Sequence, residues 1–172
     1  MVPKQLSELV KVEYGDGEFS SKLVSLVDRE PGSLLTKIEG SAPTTTRAYS
    51  SVKISENKDI ELNSDLVFCN HSCDPSVIFD MSKFEVRIVA TKPLKRGDDL
   101  TFFYPSSEWD MQQPFECQCG SGKCLGIVRG AKYLDEEVLR GYWLNQHIDR
   151  LLKKRSLESG GQNGASVNGG SH

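Results

Sequence analysis

The arrangement of the five cysteines constrains this chain more than any other sequence feature. Three lie close together as Cys117-x-Cys119-x4-Cys124, and Cys73 lies 44 residues before Cys117. The amino-terminal segment is too polar for a secretory signal, so a reducing compartment is expected, where clustered cysteines favour metal over disulfides. Four thiolates complete the tetrahedral coordination of Zn²⁺. We therefore predict one structural zinc ion held by Cys73, Cys117, Cys119 and Cys124, and we interpret Cys69 as a buried small residue.

Length and charge limit the classes of function. A chain of 172 residues fits one domain, and 37% hydrophobic with 26% charged residues is typical of a globular protein. The net charge of −3 argues against nucleic acid as the main partner, so no direct nucleic-acid binding is expected. No run approaches the ~18 apolar residues of a membrane span, so no membrane partner is expected either. These features predict a nuclear or cytoplasmic protein.

Short apolar runs separated by turn signals fill the chain from residue 8 to about 104, which indicates a mostly β domain. Within one run, Phe84, Val86 and Ile88 alternate with polar residues and are expected to share a face. The predicted strands are 9–14, 19–27, 34–38, 50–54, 77–80, 85–90 and 100–104.

The pattern becomes helical after Cys124. Asp135 is a predicted N-cap, and Gly141 is expected to divide the stretch into two helices. We predict a helical extension over 127–155 that packs onto the sheet, with a partner-binding helix as the alternative. Residues 156–172 are rich in Ser, Gly and Asn and are predicted to form a disordered tail, with a targeting or docking segment as the alternative.

Two further motifs carry functional information only in combination. Asn70-His71-Ser72-Cys73-x-Pro75 alone could be a turn ended by proline, and Tyr104 at the end of the run Leu100–Tyr104 could be a half-buried core residue. In this order, with Gly15-Asp16-Gly17-Glu18-Phe19 before them and the three-cysteine segment after them, the motifs resemble a SET domain followed by its post-SET zinc segment. The resemblance covers residues 12 to about 126. It divides 1–126 into a SET core of about 12–104 and a post-SET segment of 115–126.

The resemblance implies a fold and a cofactor. The expected architecture is a β-clip-like SET fold with a pseudoknot crossing, plus C-terminal α-helices, in which the crossing brings Asn70 and His71 beside Tyr104. The expected methyl donor is S-adenosylmethionine. The resemblance implies that Gly17 allows close approach of its backbone to the cofactor, and that Glu18 and Phe19 contribute backbone groups beside it. Asn70 is implied to bind the amino-acid end of the cofactor, and His71 to present its backbone to the adenine. Tyr104 is also implied in cofactor binding, with Phe115 or Leu125 as an apolar cover over the adenine.

By the same resemblance, Tyr104 is the catalytic residue of an N-methyltransferase acting on lysine side chains of a histone or another protein. The attacking amine must be neutral, whereas free lysine has a pKa near 10.4. A narrow apolar channel and a positively charged methyl donor both favour loss of the proton. Tyr104 would then align the donor and the amine, since alignment is the main catalytic device in such a displacement.

The sequence departs from the family pattern at three positions. Val67 stands where an Arg is usual, Ser76 where an Asn is usual, and Asp99 where a Glu is common. The segment 40–63, which in this family helps to build the substrate groove, is short, and Tyr49 is its only tyrosine. Two alternatives therefore stay open: an N-methyltransferase for a small-molecule amine, and a non-catalytic SET-like binding module.

Overall fold

The computed structural model describes residues 4–161, which form short strands and three α-helices. The strands are β1 (Val10–Glu13), β2 (Lys22–Ser25), β3 (Leu34–Lys37), β4 (Ala42–Thr44), β5 (Ser51–Ser55), β6 (Lys58–Glu61), β7 (Asn70–His71), β8 (Val77–Asp80), β9 (Glu85–Ile88), β10 (Asp99–Phe102), β11 (Phe115–Glu116) and β12 (Ile127–Val128). The helices are α1 (Leu6–Leu9), α2 (Glu136–Leu139) and α3 (Gln146–Gly161), and 3-10 turns lie at Asp65–Phe68, Tyr104–Ser106 and Ala131–Tyr133.

Four small sheets make up the architecture, in the strand orders β1-β2-β10-β7, β3-β9-β8, β4-β6-β5 and β11-β12. All their pairings are antiparallel except that of β7 with β10. The sheet β4-β6-β5 is built from the short segment after β3, which we call the insert (residues 40–63). The prediction of a mostly β SET fold with C-terminal helices is confirmed.

The parallel pairing of β7 with β10 positions the residues of interest. Asn70 lies opposite Thr101, and His71 lies opposite Phe102. Parallel strands cannot be joined by a tight turn, so the chain crosses over between them and forms β8 and β9 before it returns as β10. As predicted, Asn70 and His71 therefore lie beside the end of the strand that leads into Tyr104.

Two clusters of buried apolar side chains stabilise the molecule. The first core lies among the main sheets and includes Leu23, Phe79 and Leu100, each at most 1% exposed. Full burial of such side chains contributes about 1.5–3 kcal/mol each. The second core is smaller and lies among the residues after β10. It consists of Phe103, Ala131, Leu139 and Ile148, with Trp109, Leu125, Leu134, Tyr142, Leu144 and Leu152 packed against it.

The observed strands match five of the predicted runs closely and differ at the amino terminus. The predicted strand 9–14 begins with the last residue of α1, and the predicted strand 19–27 is shortened to β2. Phe19 has a positive φ of 57° and belongs to a turn. The prediction that Phe84 shares the buried face of Val86 is wrong, because Phe84 sits in the β8–β9 turn with φ of 52° and is exposed.

The C-terminal extension contains two helices separated at Gly141, as predicted. Asp135 occupies the N-cap of α2, although its side chain makes no capping hydrogen bond. The helix α3 continues to Gly161, past the predicted start of the tail at Ser156. Just before this added segment, the Arg155 guanidinium donates to the carbonyls of Lys132 and Leu134 and holds the helix against the preceding 3-10 turn. The rest of the predicted tail, 162–172, lies outside the described residues, and among residues 4–161 no helix has the length and apolar character needed to cross a membrane.

Candidate active site and metal centre

The structure brings the sulfur atoms of Cys73, Cys117, Cys119 and Cys124 within 4.8 Å of one another. The Sγ atoms of Cys73 and Cys117 are 3.8 Å apart. That distance is far longer than a disulfide bond of about 2.05 Å. It matches the ~3.8 Å edge of a tetrahedron whose metal–sulfur bonds are about 2.3 Å. The donor set and its spacing therefore fit one tetrahedral metal ion.

Two separate parts of the chain deliver these thiols. Cys73 follows β7 and is fully buried, whereas Cys117, Cys119 and Cys124 lie on the loop between β11 and β12 and are partly or largely exposed. The loop closes through a hydrogen bond from the Cys117 amide to the Gly126 carbonyl, 2.7 Å long. Cys69 lies in the first core and outside the cluster, as predicted.

The electrostatics of the cluster call for a cation. Burial raises the pKa of the Cys73 and Cys117 thiols, so a buried thiolate at either position is unfavourable by itself. The backbone amide of Leu125 donates to the Cys73 sulfur at 3.4 Å, which favours a negatively charged sulfur there. A shared divalent cation would supply the remaining compensation.

His71 connects this cluster to the strand that precedes Tyr104. Its Nδ1 accepts a hydrogen bond from the Tyr104 amide at 3.2 Å, so the ring proton lies on Nε2, which donates to the Cys73 sulfur at 3.3 Å. Burial lowers the pKa of His71 to about 4, so the imidazole is neutral at physiological pH. The side chain of His71 thus joins a predicted metal ligand to the backbone of the predicted catalytic residue.

The hydroxyl group of Tyr104 donates to the carbonyl of Cys69 at 3.2 Å. Burial raises the pKa of Tyr104, so the phenol stays protonated at neutral pH. Its ring is enclosed by those of Phe102, His71 and Phe115, with centroids 4.7, 5.3 and 6.0 Å away. Since Tyr104 and His71 are both uncharged, this pair can orient bound groups but is not a charged acid–base couple.

Asn70 connects the glycine-containing turn (residues 15–21) to the region around His71 and Tyr104. Its Nδ2 donates to the Ser21 carbonyl at 2.9 Å. Gly17, Glu18 and Phe19, which the resemblance implies in cofactor binding, lie on the exposed side of this turn. Within residues 4–161, the backbone N–H groups of Glu18 and Phe19 and the Oδ1 of Asn70 have no protein hydrogen-bond partner. These groups are available to a ligand.

The two glycines of the turn differ in their surroundings. A Cβ at Gly15 would lie 2.2 Å from the Ser20 hydroxyl oxygen and 2.7 Å from the Ser20 carbonyl oxygen, so this position requires glycine. A Cβ at Gly17 would meet nothing closer than Ser20 at 3.7 Å. Sequence reasoning assigned a role to Gly17 and named Gly15 only as part of the turn motif. The open space beside Gly17 leaves room for close approach of a ligand.

The two predicted apolar covers lie in different surroundings. The ring of Phe115 contacts His71 and Tyr104, with centroids 5.7 and 6.0 Å away. Leu125 packs against the second core instead. Of these two side chains, that of Phe115 lies against the rings of His71 and Tyr104, whereas Leu125 meets the Asn-His turn through its backbone amide.

The insert is anchored by a residue that sequence reasoning missed, Glu108. Its carboxylate accepts hydrogen bonds from Arg47 at 2.9 Å and from the Lys53 amide at 3.3 Å. Burial raises the pKa of Glu108 against the opposing effect of these donors. The insert also reaches the glycine turn, where the exposed rings of Tyr49 and Phe19 meet edge to face at 6.1 Å. No sequence signal marks Glu108, because its partners lie in another segment.

Comparison with known proteins agrees with this geometry. The SET domain family matches residues 10–105, which is more than half of the chain and ends one residue after Tyr104. Over 150 residues, 87% of this chain, the sequence is 47% identical to Methyltransferase flvH of Aspergillus flavus and covers 84% of that protein.

Shorter matches are to much longer proteins. The histone-lysine N-methyltransferase, H3 lysine-36 specific, of Chaetomium globosum is 34% identical over 67 residues, 37% of this chain and 7% of that protein. The histone-lysine N-methyltransferase ash1 of Drosophila melanogaster is 29% identical over 75 residues, 40% of this chain and 3% of that protein. From the family match and the near full-length similarity to a methyltransferase, we conclude that the chain belongs to the SET-domain family of methyltransferases.

Proposed function

We propose that the protein transfers a methyl group from S-adenosylmethionine to the side-chain amine of a lysine in a protein substrate, a histone being one candidate. The observation that carries this proposal is the parallel pairing of β7 with β10. In this pairing the Asn70–His71 turn, which faces the glycine-containing turn, lies beside the partly buried side chain of Tyr104.

The residues proposed to hold the cofactor lie around this junction. The backbone groups of Gly17, Glu18 and Phe19 would receive one part of the ligand, and the free amide oxygen of Asn70 would accept a hydrogen bond from its ammonium group. His71 would present its backbone to the adenine, with Phe115 or Leu125 as the apolar cover. When bound, S-adenosylmethionine supplies a methyl group on a positively charged sulfur.

Tyr104 would act by position rather than by proton transfer. Because its hydroxyl donates to the Cys69 carbonyl, the lone pairs of the phenol oxygen are held in a fixed direction. The phenol oxygen and the nearby carbonyl can accept N–H groups from an incoming amine. The surrounding rings of Phe102 and Phe115 exclude water, which favours the neutral amine over the ammonium ion.

We further propose that the four clustered cysteines hold one structural Zn²⁺ ion. Four thiolates close the coordination sphere, so the ion would stabilise the fold and take no part in the reaction. It would fix the loop between β11 and β12, and with it Phe115, against the turn that carries Cys73.

The protein substrate is supported by the similarity to histone-lysine methyltransferases, which also favours a nuclear over a cytoplasmic location. A small-molecule amine is the second candidate acceptor. It is favoured by the short insert, which offers a limited surface for a peptide. The name of flvH, whose similarity spans nearly the whole chain, specifies no acceptor.

The test offers methyl-labelled S-adenosylmethionine to the purified protein with either a cell protein extract or a mixture of small amines. Label on lysine side chains, located by mass spectrometry, is the expected result. Label only in the amine mixture would move the assignment to the small-molecule acceptor. No label in either sample, together with no calorimetric binding of the cofactor to the folded protein, would indicate a non-catalytic binding module. Tyr104→Phe is the background control in each arm.

A further inference from the structure

Residues 142–147, between α2 and the first turn of α3, contact the backbone on both sides of the candidate active site. We call them the C-terminal brace. Its first residue, Tyr142, donates from its hydroxyl to the carbonyl of Cys73 at 2.7 Å. The Tyr142 ring stacks on Phe103, with centroids 3.6 Å apart and planes inclined by 6°. One side chain therefore contacts both the Asn-His turn and the residue before Tyr104.

Asn145 is the most extensively bonded residue of the brace. It is 2% exposed, and its Nδ2 donates to the carbonyls of Phe79 and Ser106, both at 3.0 Å. Its Oδ1 accepts from the Met81 amide at 2.9 Å, and its backbone amide also donates to Ser106. Both hydrogens of the side-chain amide of Asn145 are used in these bonds. Asn145 therefore joins the end of β8 to the turn that contains Tyr104.

His147 holds the next carbonyl of the same turn. Its Nε2 lies 2.7 Å from the Ser107 carbonyl, and because a carbonyl only accepts, the ring proton is on Nε2. His147 is 2% exposed, and burial lowers its pKa, so it is neutral at physiological pH. Ser107 is fully buried, so without His147 its carbonyl would lose this partner where water does not reach it.

The side chains of Tyr142, Asn145 and His147 make hydrogen bonds to backbone atoms, in addition to the apolar packing of this region. The brace bonds to Cys73 on one side of the site and to Ser106 and Ser107 on the other, immediately after Tyr104. The internal hydrogen bonds of the short turn at Tyr104–Ser106 end on the carbonyls of Phe103 and Tyr104, so the carbonyls of Ser106 and Ser107 are held from outside the turn, by the brace. Reactions that depend on alignment lose rate when a reacting group is displaced by about 1 Å.

We propose that the C-terminal brace is a positioning element for Tyr104, an inference that rests on the proposed methyl transfer. The brace lies after the region matched by the SET family, so the site depends on residues outside the family's own domain. The brace fixes the backbone that carries the phenol. The side-chain hydrogen bonds of the brace go to residues outside the set proposed to bind the cofactor, namely Cys73, Phe79, Met81, Ser106 and Ser107. Turnover should therefore depend on it more strongly than cofactor affinity does.

His147→Leu tests the proposal, because leucine fills similar space but cannot donate to Ser107. His147→Gln is the conservative partner, since its side-chain amide can restore that hydrogen bond. Leu157→Ala is the matched control on the same helix, since Leu157 is 78% exposed. Tyr142→Phe removes only the bond to Cys73 and keeps the stack on Phe103.

The first measurement is amide hydrogen exchange, which does not require activity. In His147→Leu, amides of residues 104–108 should exchange roughly fivefold faster, the effect of losing one hydrogen bond, while strands of the first core keep their protection. His147→Gln and Leu157→Ala should match the wild type, and Tyr142→Phe should accelerate exchange in 71–76. Unchanged exchange in His147→Leu, or equal acceleration throughout the chain, would overturn the proposal.

The second measurement separates kcat from cofactor affinity. His147→Leu should lower kcat roughly tenfold, whereas the Kd of S-adenosylhomocysteine by calorimetry should change less than twofold, with recovery of kcat in His147→Gln. Parallel losses of kcat and affinity, or an unchanged kcat, would contradict a positioning role. If the wild type methylates neither acceptor class, the proposed function fails, and the exchange data still decide whether the brace holds the turn.

Discussion

The two halves of the molecule divide the work of the site unequally. The half matched by the SET family, residues 10–105, has a large aliphatic core and carries Asn70, His71 and Tyr104. The half after it, 106–161, has few strands and a small core, and supplies three thiols and the C-terminal brace. Under the proposed function, the first half would present the chemical groups, and the second half would keep them aligned. Substitutions or metal removal in one half should accordingly change properties that the same treatment of the other half leaves unchanged.

The largest effect should follow from removing the metal. The loop 117–124 has little apolar packing, so most of its order would come from ion binding, worth about 10 kcal/mol in small zinc sites. A chelator should make Lys123 accessible to trypsin while Lys83, in the β8–β9 turn of the first half, keeps its cleavage rate. Limited proteolysis followed by mass spectrometry measures both sites.

The matched variants are Cys117→Ala and Cys69→Ala. The first should lose the bound zinc, and the second, a core cysteine outside the cluster, should retain one ion per chain by elemental analysis. Equal metal content in the two variants would disprove the assignment of Cys117.

Phe79→Ala should give the next largest effect, on the first half. Phe79 is fully buried and stacks on Phe102 at 4.3 Å. Its loss should lower the free energy of unfolding by about 4 kcal/mol, through lost burial and the cavity left behind. Denaturant titration measures this change. Ile148→Val, in the second core, should cost only about 1 kcal/mol, and a larger loss there would contradict the ranking of the two cores.

Tyr104→Phe should separate chemistry from stability. Removing the phenol should lower the methyl-transfer rate about a hundredfold, equivalent to about 2.7 kcal/mol of barrier. Stability should fall by only about 1 kcal/mol, the net value of its hydrogen bond to Cys69. Steady-state kinetics and thermal melts report the two quantities. Tyr133→Phe, which removes an exposed hydroxyl bonded to Asp110, is the control and should retain activity.

The smallest effect should be a pH dependence of stability from His147 in the second half. Burial lowers its folded-state pKa, while the unfolded chain has the ordinary value near 6.5. Above that pH the residue is neutral in both states and its contribution is complete. As the pH falls below about 6.5 the unfolded state binds a proton first, so stability declines.

The charged groups that influence His147 are Lys53, Arg150 and Glu56. His147→Gln, which keeps the hydrogen bond to Ser107, should remove this part of the decline in urea titrations between pH 7 and 5. A decline of unchanged size in that variant would assign the pH dependence to other groups.

The structure gathers the four thiols as predicted. Sequence reasoning found them from residue type and spacing, whereas it singled out Tyr104 only through the resemblance to the SET family. It did not recover the strands β4 and β6, which are short and polar and gain their pairing only within the insert. Phe84 was misplaced because alternation cannot reveal that the turn ends, and β9 begins, one residue later than the pattern implies.

The brace could not have been found from the sequence. Asn145 lies in the connection just before α3, where asparagine is common and needs no tertiary role to explain it. Its role depends on three backbone groups contributed by β8 and the Tyr104 turn. Gly15 was passed over for a similar reason, because the clash that requires glycine comes from the way Ser20 folds back over it.

The pairing of β7 with β10 also has a consequence for how the protein is made. The two strands are distant in the chain and pair over only two residues, so bringing them together costs loop-closure entropy while it forms few hydrogen bonds. It should therefore form late in folding, after the hairpins on either side of it. A chain emerging from the ribosome would form its hairpins before it could carry out the proposed methyl transfer. That ability would appear in a single step, when β10 pairs with β7.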